Sequence, residues 1–195
     1  MTTNASNLIY AAVFGLISVC GFASSAGAVV IDFDNLNFLD IVTTQYPEAA
    51  FSSEFGFVSQ VGTPSGSFGT SPPNFVCSAA AGGGFPKCEH ETIIDFTNPV
   101  NNLTFKSVGA DSSGVVAQVD IHTPNLIFTL NIPGLPQLVN LSLYNDISKI
   151  RIHSINDHNG VGWDDFTFEV VPEPGSAVLA VCSAFSIFSL RRRHH

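Results

Sequence analysis

Oxygen-bearing side chains crowd residues 156–169, NDHNGVGWDDFTFE, which makes this stretch the best candidate for binding a cation. Calcium takes six to eight oxygen ligands, so clustered Asp and Asn residues are what such a site requires. The stretch does not fit an EF-hand, because its glycine is out of register and no bidentate glutamate follows at the required distance. The alternative interpretation is that Asp157 and Asn159 only form a turn, while Asp164 and Asp165 cap a strand or lie in solvent.

Side chains that could catalyse a reaction are present but form no recognisable constellation. Glu89, His90 and Glu91 adjoin one another, and His153 precedes His158 by five positions. Neither spacing gives the HExxH pattern of a zinc peptidase, and no GxSxG nucleophile elbow occurs. A glycosidase pair of carboxylates stays open as an alternative, because strands bring distant residues together. We therefore predict a protein that is not an enzyme, with a secreted polysaccharide-active hydrolase as the alternative.

Cysteine use points to an oxidising compartment. Cys20 and Cys182 lie in apolar segments near the two ends, which leaves Cys77 and Cys88 on either side of a Gly-rich loop. A disulfide that closes this loop would contribute roughly 3 kcal/mol in the chain-entropy model. A zinc site is the weaker alternative, because two cysteines at this spacing are unlike a CxxC knuckle. We predict a disulfide between them, as is common in exported domains.

The chain begins with the features of a secretory signal peptide. An apolar stretch runs over residues 8–22, and residues 26–28 give an A-x-A cleavage pattern before Val29. The residues before the apolar stretch include no Lys or Arg, so the positive charge there is that of the terminal amine. We predict a signal helix within residues 1–28 that engages the Sec translocon and is removed by signal peptidase.

The chain ends with an apolar run closed by three arginines. Residues 176–190 are uncharged, and Arg191, Arg192 and Arg193 follow directly. This order is typical of a membrane segment whose charged end stays in the cytoplasm. As a helix, the run covers roughly 22 Å of a hydrocarbon core about 30 Å thick. Arginine side chains that reach the membrane interface from a buried backbone reduce this mismatch in length. We predict a short transmembrane helix over 176–190, with a core helix docked on the domain as the alternative.

The tail as a whole resembles a known sorting signal. Val171, Pro172, Glu173 and Pro174, followed by the apolar run and the arginines 191–193, resemble the PEP-CTERM signal of exported bacterial proteins. The resemblance implies processing near Pro-Glu-Pro by an exosortase, and a setting of exopolysaccharide or biofilm matrix. It leaves the chemistry of the main domain open. The alternative is a plain membrane-anchored protein without sorting.

The remaining residues, 29–170, are enough for one domain with a real core. All 16 acidic residues of the chain lie between Asp32 and Glu173, against four basic residues, so the formal charge of this range is −12. Such a surface repels nucleic acid phosphates and anionic lipid headgroups. Divalent cations and neutral glycans are compatible partners, and nucleic acid is not.

Short runs rich in aromatic and β-branched residues predict strands in this domain. These runs are residues 29–33, 55–61, 91–96 and 103–108, and apolar and polar residues alternate in 115–122, 128–132, 149–153 and 166–170. Turn residues recur between them, as at Asn98-Pro99, and no sustained helical period is present. The pattern predicts an all-β fold, an antiparallel β-sandwich of the jelly-roll kind, flanked by the two terminal helices. Gly62 to Pro73 is predicted as a mobile surface loop.

The closing strand, GVGWDDFTFE, resembles the strand that ends many bacterial jelly-roll domains, including carbohydrate-binding modules. In such modules calcium often ties the first strand to the last, which implies Asp32, Asp34, Asp164 and Asp165 as ligands of a structural calcium ion. Trp163 has the flat face that stacks on a sugar, although core packing is the favoured interpretation. The resemblances together imply an exported protein, anchored in the membrane and then found at the surface or in the matrix, with a structural, adhesive or glycan-binding role.

Overall fold

The computed structural model describes residues 27–54, 56–62, 74–80, 88–110, 112–134, 137–158 and 160–172. Most of the predicted signal peptide (residues 1–26), most of the predicted loop (63–73) and the tail from Glu173 lie outside the described residues. That tail holds Pro174, the predicted transmembrane segment 176–190 and Arg191 to Arg193. Gly27–Val171 forms a compact unit with a core of its own, so a fragment of these residues carries every described strand. The described residues contain no α-helix and hence none long and apolar enough to cross a membrane.

Antiparallel strands account for nearly all regular structure in the described part of the domain, which confirms the predicted all-β class. The strands are β1 Ala28–Ile31, β2 Ala49–Ser52, β3 Gly56–Gly62, β4 Asn74–Ala80, β5 Thr92–Val108, β6 Val115–His122, β7 Ile127–Pro133, β8 Leu138–Asn140, β9 Ile147–His153 and β10 Gly162–Val170. Each pairing between them is antiparallel.

The 17-residue strand β5 joins two layers into a sandwich-like fold. Its first part pairs with β2 and β9, in the order β2-β5-β9-β6-β7. Its second part pairs with β8 and β10, in the order β3-β4-β10-β5-β8, with β1 also on β10. The register on β9 shifts between Asp95 and Val100, so Asn98-Pro99 lies in an irregularity within one strand and not in the predicted turn. Proline is tolerated at such irregularities, where the ladder lacks a hydrogen bond.

The predicted alternation describes the central strands well and the outer hairpin less well. Ile150 and Ile152 of β9 and Phe166 and Phe168 of β10 are all buried in one continuous core, as predicted. In β6 the register on β7 shifts after Val115, so Val115 is exposed although the pattern places it with the buried residues of that strand. A shift of one residue moves a side chain to the other face of a sheet.

Aromatic side chains pack the segment that follows β1 against β10. The ring of Phe33, just after β1, lies 6.0 Å from Phe166 and 5.5 Å from Phe51, each in an edge-to-face arrangement. Phe105 of β5 stacks on Phe166 at 5.1 Å and meets Trp163 edge-on at 5.9 Å. Edge-to-face and offset-stacked pairs add stability beyond area burial, roughly 1 kcal/mol each. This aromatic cluster lies directly beneath the acidic residues considered next.

Candidate functional site

The acidic residues predicted to share a cation lie where the first strand meets the last. β1 pairs antiparallel with β10 in a register that sets Ile31 opposite Phe166. Asp32 follows Ile31 and Asp165 precedes Phe166, so the register brings these two carboxylates to the same junction. This geometry confirms that the two strands that carry the predicted ligands are neighbours.

A β-bulge interrupts β10 at the Asp164-Asp165 pair, and the two carboxylates have different surroundings. Asp164 is opposite Lys106 and Thr167 is opposite Thr104, so β10 has one residue more than β5 in this interval. Asp165 takes a positive φ of 52°, in the left-handed region that Asp tolerates better than most residues. Its carboxylate lies 2.8 Å from the Lys106 ammonium, while Asp164 is fully buried. The alternative interpretation that Asp164 lies in solvent is therefore wrong.

The segment after β1 forms a tight loop that an asparagine from another strand holds in place. Asp34 donates its backbone N–H to the Asp32 carboxylate at 3.2 Å, and Phe33 between them has a positive φ of 59°. The buried side-chain amide of Asn74 donates to the carbonyl oxygens of Phe33 and Leu36, at 3.1 and 3.0 Å. Sequence analysis missed Asn74, because nothing in its neighbourhood indicates a contact about forty positions away.

The four carboxylates influence one another electrostatically. Burial, followed by the charges of Asp165, Asp34 and Asp32, raises the pKa of Asp164 from 3.8 to about 8, against the lowering effect of the Asp165 backbone N–H at 2.7 Å. Burial and then the charge of Asp32 raise the pKa of Asp34 as well. Burial and the carboxylates of the junction raise the pKa of Tyr46 to about 12. Lys106 neutralises part of this negative charge at Asp165.

The donor chemistry of this acidic junction, defined as Asp32, Asp34, Asp164 and Asp165, suits calcium, although its side chains do not enclose one point. Calcium accepts carboxylate, carbonyl and water oxygens, so a partial protein shell is compatible with binding. Within the described ranges, no three His, Cys, Asp or Glu side chains converge in a group that would hold a metal ion. Calcium therefore stays a prediction here.

The predicted disulfide is present, and the predicted aromatic platform is not. Cys77 and Cys88 are bonded, with their Cα atoms 5.0 Å apart and both residues buried. Trp163 has no exposed surface and packs edge-on against Phe105. The glycan platform prediction for Trp163 is corrected by this burial, because a ring that stacks on a sugar must have an accessible face. Core packing, the favoured interpretation, is its role.

The charged cluster around Glu91 is an ion-pair network that sequence analysis did not anticipate. Glu91 is buried, and its carboxylate accepts a hydrogen bond from the Arg151 Nε at 2.7 Å and from the backbone N–H of Glu54 at 3.2 Å. The hydrogen bond to Glu91, followed by the charges of Glu91 and Glu54, raises the pKa of the Arg151 guanidinium against the effect of burial. A carboxylate held in this way is engaged with its cation and is poorly placed to act as a general base.

A second network lies on the outer face of β6. His153 lies 3.1 Å from the Asp120 carboxylate, and the Thr129 hydroxyl donates to the same carboxylate at 2.6 Å. The hydrogen bonds from Thr129 and His153 lower the pKa of Asp120 despite the opposing effect of burial. These three side chains come together because β6, which carries Asp120, lies between β7 with Thr129 and β9 with His153. His153 thus contacts an aspartate of the neighbouring strand, a partner that its sequence neighbourhood does not reveal.

Two residues of the predicted sorting signal are within the described chain. Val171 follows the end of β10, and its backbone N–H donates to the Pro99 carbonyl at 2.8 Å. Pro172 is exposed. The compact unit therefore ends at Val171, immediately before the Pro-Glu-Pro sequence.

Comparison with known proteins gives only distant structural similarity. No protein-family model and no curated protein matches the sequence. The K1 cleaved adhesin domain of Lys-gingipain from Porphyromonas gingivalis is 12% identical, with a TM-score of 0.47 over 75% of this chain and 99% of that domain. The K2 cleaved adhesin domain of Lys-gingipain is also 12% identical, with a TM-score of 0.47 over 74% of this chain and 100% of that domain. Similarity at this distance assigns neither function nor ligand.

Proposed function

We propose that this chain is an exported bacterial protein of the cell surface or extracellular matrix, with a structural or adhesive role and no enzymatic activity. The observation that carries the proposal is the buried Cys77–Cys88 disulfide, because such bonds form and persist in oxidising compartments outside the cytoplasm. The charge of −12 between Asp32 and Glu173 favours neutral glycans over nucleic acid or anionic lipid as partners. In this proposal the domain is a jelly-roll-like module that contacts exopolysaccharide.

The proposal includes export through the Sec translocon, removal of the leader by signal peptidase, and sorting by an exosortase at Val171 to Pro174. The segment 176–190 would hold the protein in the membrane until processing. The end of the fold supports this arrangement, since β10 stops at Val170 and Pro172 is exposed. A cut beyond Pro172 would leave each described strand intact.

We also propose that calcium binds at the acidic junction and ties β1 to β10. Support comes from the shared register of the two strands and from the pKa of Asp164, which burial and then the neighbouring carboxylates raise. Excess calcium should raise the melting temperature of the fragment 27–171 relative to EDTA, and Asp34→Asn should reduce that increment. Asp95→Asn, an exposed acid of β5 outside the junction, is the matched control. A melting temperature that is equal in calcium and in EDTA would contradict the proposal that calcium binds at the acidic junction.

Cosedimentation with exopolysaccharide from the native host tests the adhesive role directly. We expect the fragment 27–171 to sediment with the polysaccharide without releasing reducing sugar ends. A steady release of reducing ends by the pure fragment would instead favour the hydrolase alternative. A fragment that stays in the supernatant at all polysaccharide concentrations would contradict the adhesive role.

A further inference from the structure

The sequence from Thr123 to Asn145 contains no Asp, Glu, Lys, Arg or His over 23 successive residues. The domain has one longer run of this kind, residues 55–86, and all its acidic residues lie outside the two runs. The uncharged segment 123–145 contains β7, β8 and the connections beside them. One part of a strongly acidic surface is therefore electrically neutral.

The uncharged segment is also where the domain exposes much of its apolar surface. Half of the ten large hydrophobic side chains that are exposed among the described residues belong to it. These are Leu126, Ile127, Phe128, Leu138 and Leu143. The ring of Phe128 lies 5.0 Å from that of Tyr144, so the apolar surface continues from β7 onto the connection before β9. Contiguous exposed apolar surface of this kind marks an interaction site.

β7 lies at the edge of its layer, and between its ends it lacks the charges and prolines that usually protect an edge. Among the described strands it pairs only with β6, which leaves the backbone groups of its other side facing away from the sheet. Natural edge strands are kept from pairing by charges, prolines, bulges or short length. β7 has seven residues, its proline stands at the very end, and none of its side chains is charged.

We propose that β7 is a self-association edge, at which two copies of this chain pair their β7 strands antiparallel and continue the sheet across the dimer. A second copy fits because both molecules are acidic over most of their surface and repel each other there. The uncharged segment is where two copies approach without that repulsion. Antiparallel pairing of one strand with itself closes by a two-fold axis, the commonest symmetry of dimers. This inference does not rest on the sorting signal, on calcium or on glycan binding.

Sedimentation velocity of the fragment 27–171 over a wide range of concentrations tests the proposal. We expect a reversible dimer whose dissociation constant rises at least about tenfold in Ile127→Lys, because lysine on an edge strand opposes pairing. Ile41→Lys is the matched control, since Ile41 is similarly exposed (51% against 62%) but lies outside the uncharged segment. A monomer at all concentrations would overturn the proposal, and so would a dimer that Ile127→Lys and Ile41→Lys weaken equally.

Hydrogen exchange on the unmodified fragment gives an answer that does not depend on the variant folding. We expect amides within 127–133 to become protected as protein concentration rises, while those of 49–52 in β2 stay unchanged. Concentration-dependent protection confined to another strand would overturn the proposal. Neutral lipid vesicles or polysaccharide could instead protect 127–133 with no dependence on protein concentration. That result would overturn the proposal and show that β7 binds lipid or glycan in place of a second copy.

Discussion

Replacing Asp164 by asparagine should remove a large pH dependence from the stability of the metal-free domain. The pKa of Asp164 is 3.8 in the unfolded reference and about 8 in the folded protein, chiefly because of burial. The folded state therefore binds this proton more tightly than the unfolded chain does. The stability that the proton confers is fully present below pH 3.8 and is lost as pH rises towards about 8.

The size of the effect follows from the separation of the two pKa values. They lie about four pH units apart, and each unit corresponds to about 1.4 kcal/mol. Complete ionisation of Asp164 therefore lowers the free energy of unfolding by at most about 5 to 6 kcal/mol. The value of about 8 already includes the opposing effect of the Asp165 backbone N–H, and the titration of Asp164 is only about half complete at pH 8. We therefore expect the free energy of unfolding to fall by about 2 to 3 kcal/mol between pH 5 and pH 8.

Urea unfolding in EDTA, followed by the fluorescence of the single tryptophan, measures this fall. Asp164→Asn should flatten the dependence, since the amide does not ionise and its oxygen still accepts the hydrogen bond from Asp165. Asp95→Asn should keep the dependence of the unmodified fragment. Equal pH dependence in the unmodified fragment and in Asp164→Asn would refute the argument that Asp164 is a buried carboxyl with a raised pKa.

Three further comparisons test the packing that supports the site. Arg151→Met should cost about 2 kcal/mol in urea unfolding, because it leaves a buried glutamate without its cation, whereas Lys149→Met, on the same strand with an exposed partner, should cost about 0.5 kcal/mol. Replacing both Cys77 and Cys88 by alanine should lower the free energy of unfolding by roughly 3 kcal/mol and abolish sensitivity to reductant. Trp163→Ala should cost about 3 to 5 kcal/mol by calorimetry and leave polysaccharide binding of the folded fraction unchanged.

Each of these expectations has an outcome that would contradict it. Equal losses in Arg151→Met and Lys149→Met would show that burial of the glutamate carries no extra cost. A melting temperature of the unmodified fragment that reductant does not change would argue against the disulfide as a stabilising link. Normal stability of Trp163→Ala together with lost binding would restore the platform interpretation and contradict core packing.

Side-chain periodicity was sufficient to predict the class of fold and the interior of the central strands. Ile150 and Ile152 alternate with polar residues in the sequence and are buried in β9, because a strand buried on one face repeats every two residues. The same rule predicts Phe166 and Phe168. The disulfide was predictable from elimination, since two of the four cysteines lie in the terminal apolar segments.

Local pattern could not reveal features created by pairing between distant strands. The bulge that follows Asp164 depends on the register of β10 against β5, which no run of residues encodes. Asn98-Pro99 has turn composition but lies within β5, where Thr97 donates to the Glu48 carbonyl and the Pro99 carbonyl accepts from Val171. The Glu91 and Arg151 pair joins strands that are sixty residues apart in sequence. These features arise from tertiary contacts and needed the structure.

The most direct test of the proposed function is the intact mass of the protein recovered from its native host, in both the membrane and the released fractions. The proposal predicts that the released form lacks residues 1 to about 28 and the residues beyond about Pro174, and that it retains a mass two hydrogens lower than that of the reduced chain, for the Cys77–Cys88 bond. A released form that still carries Arg191 to Arg193, or an intact leader in both fractions, would contradict export and sorting.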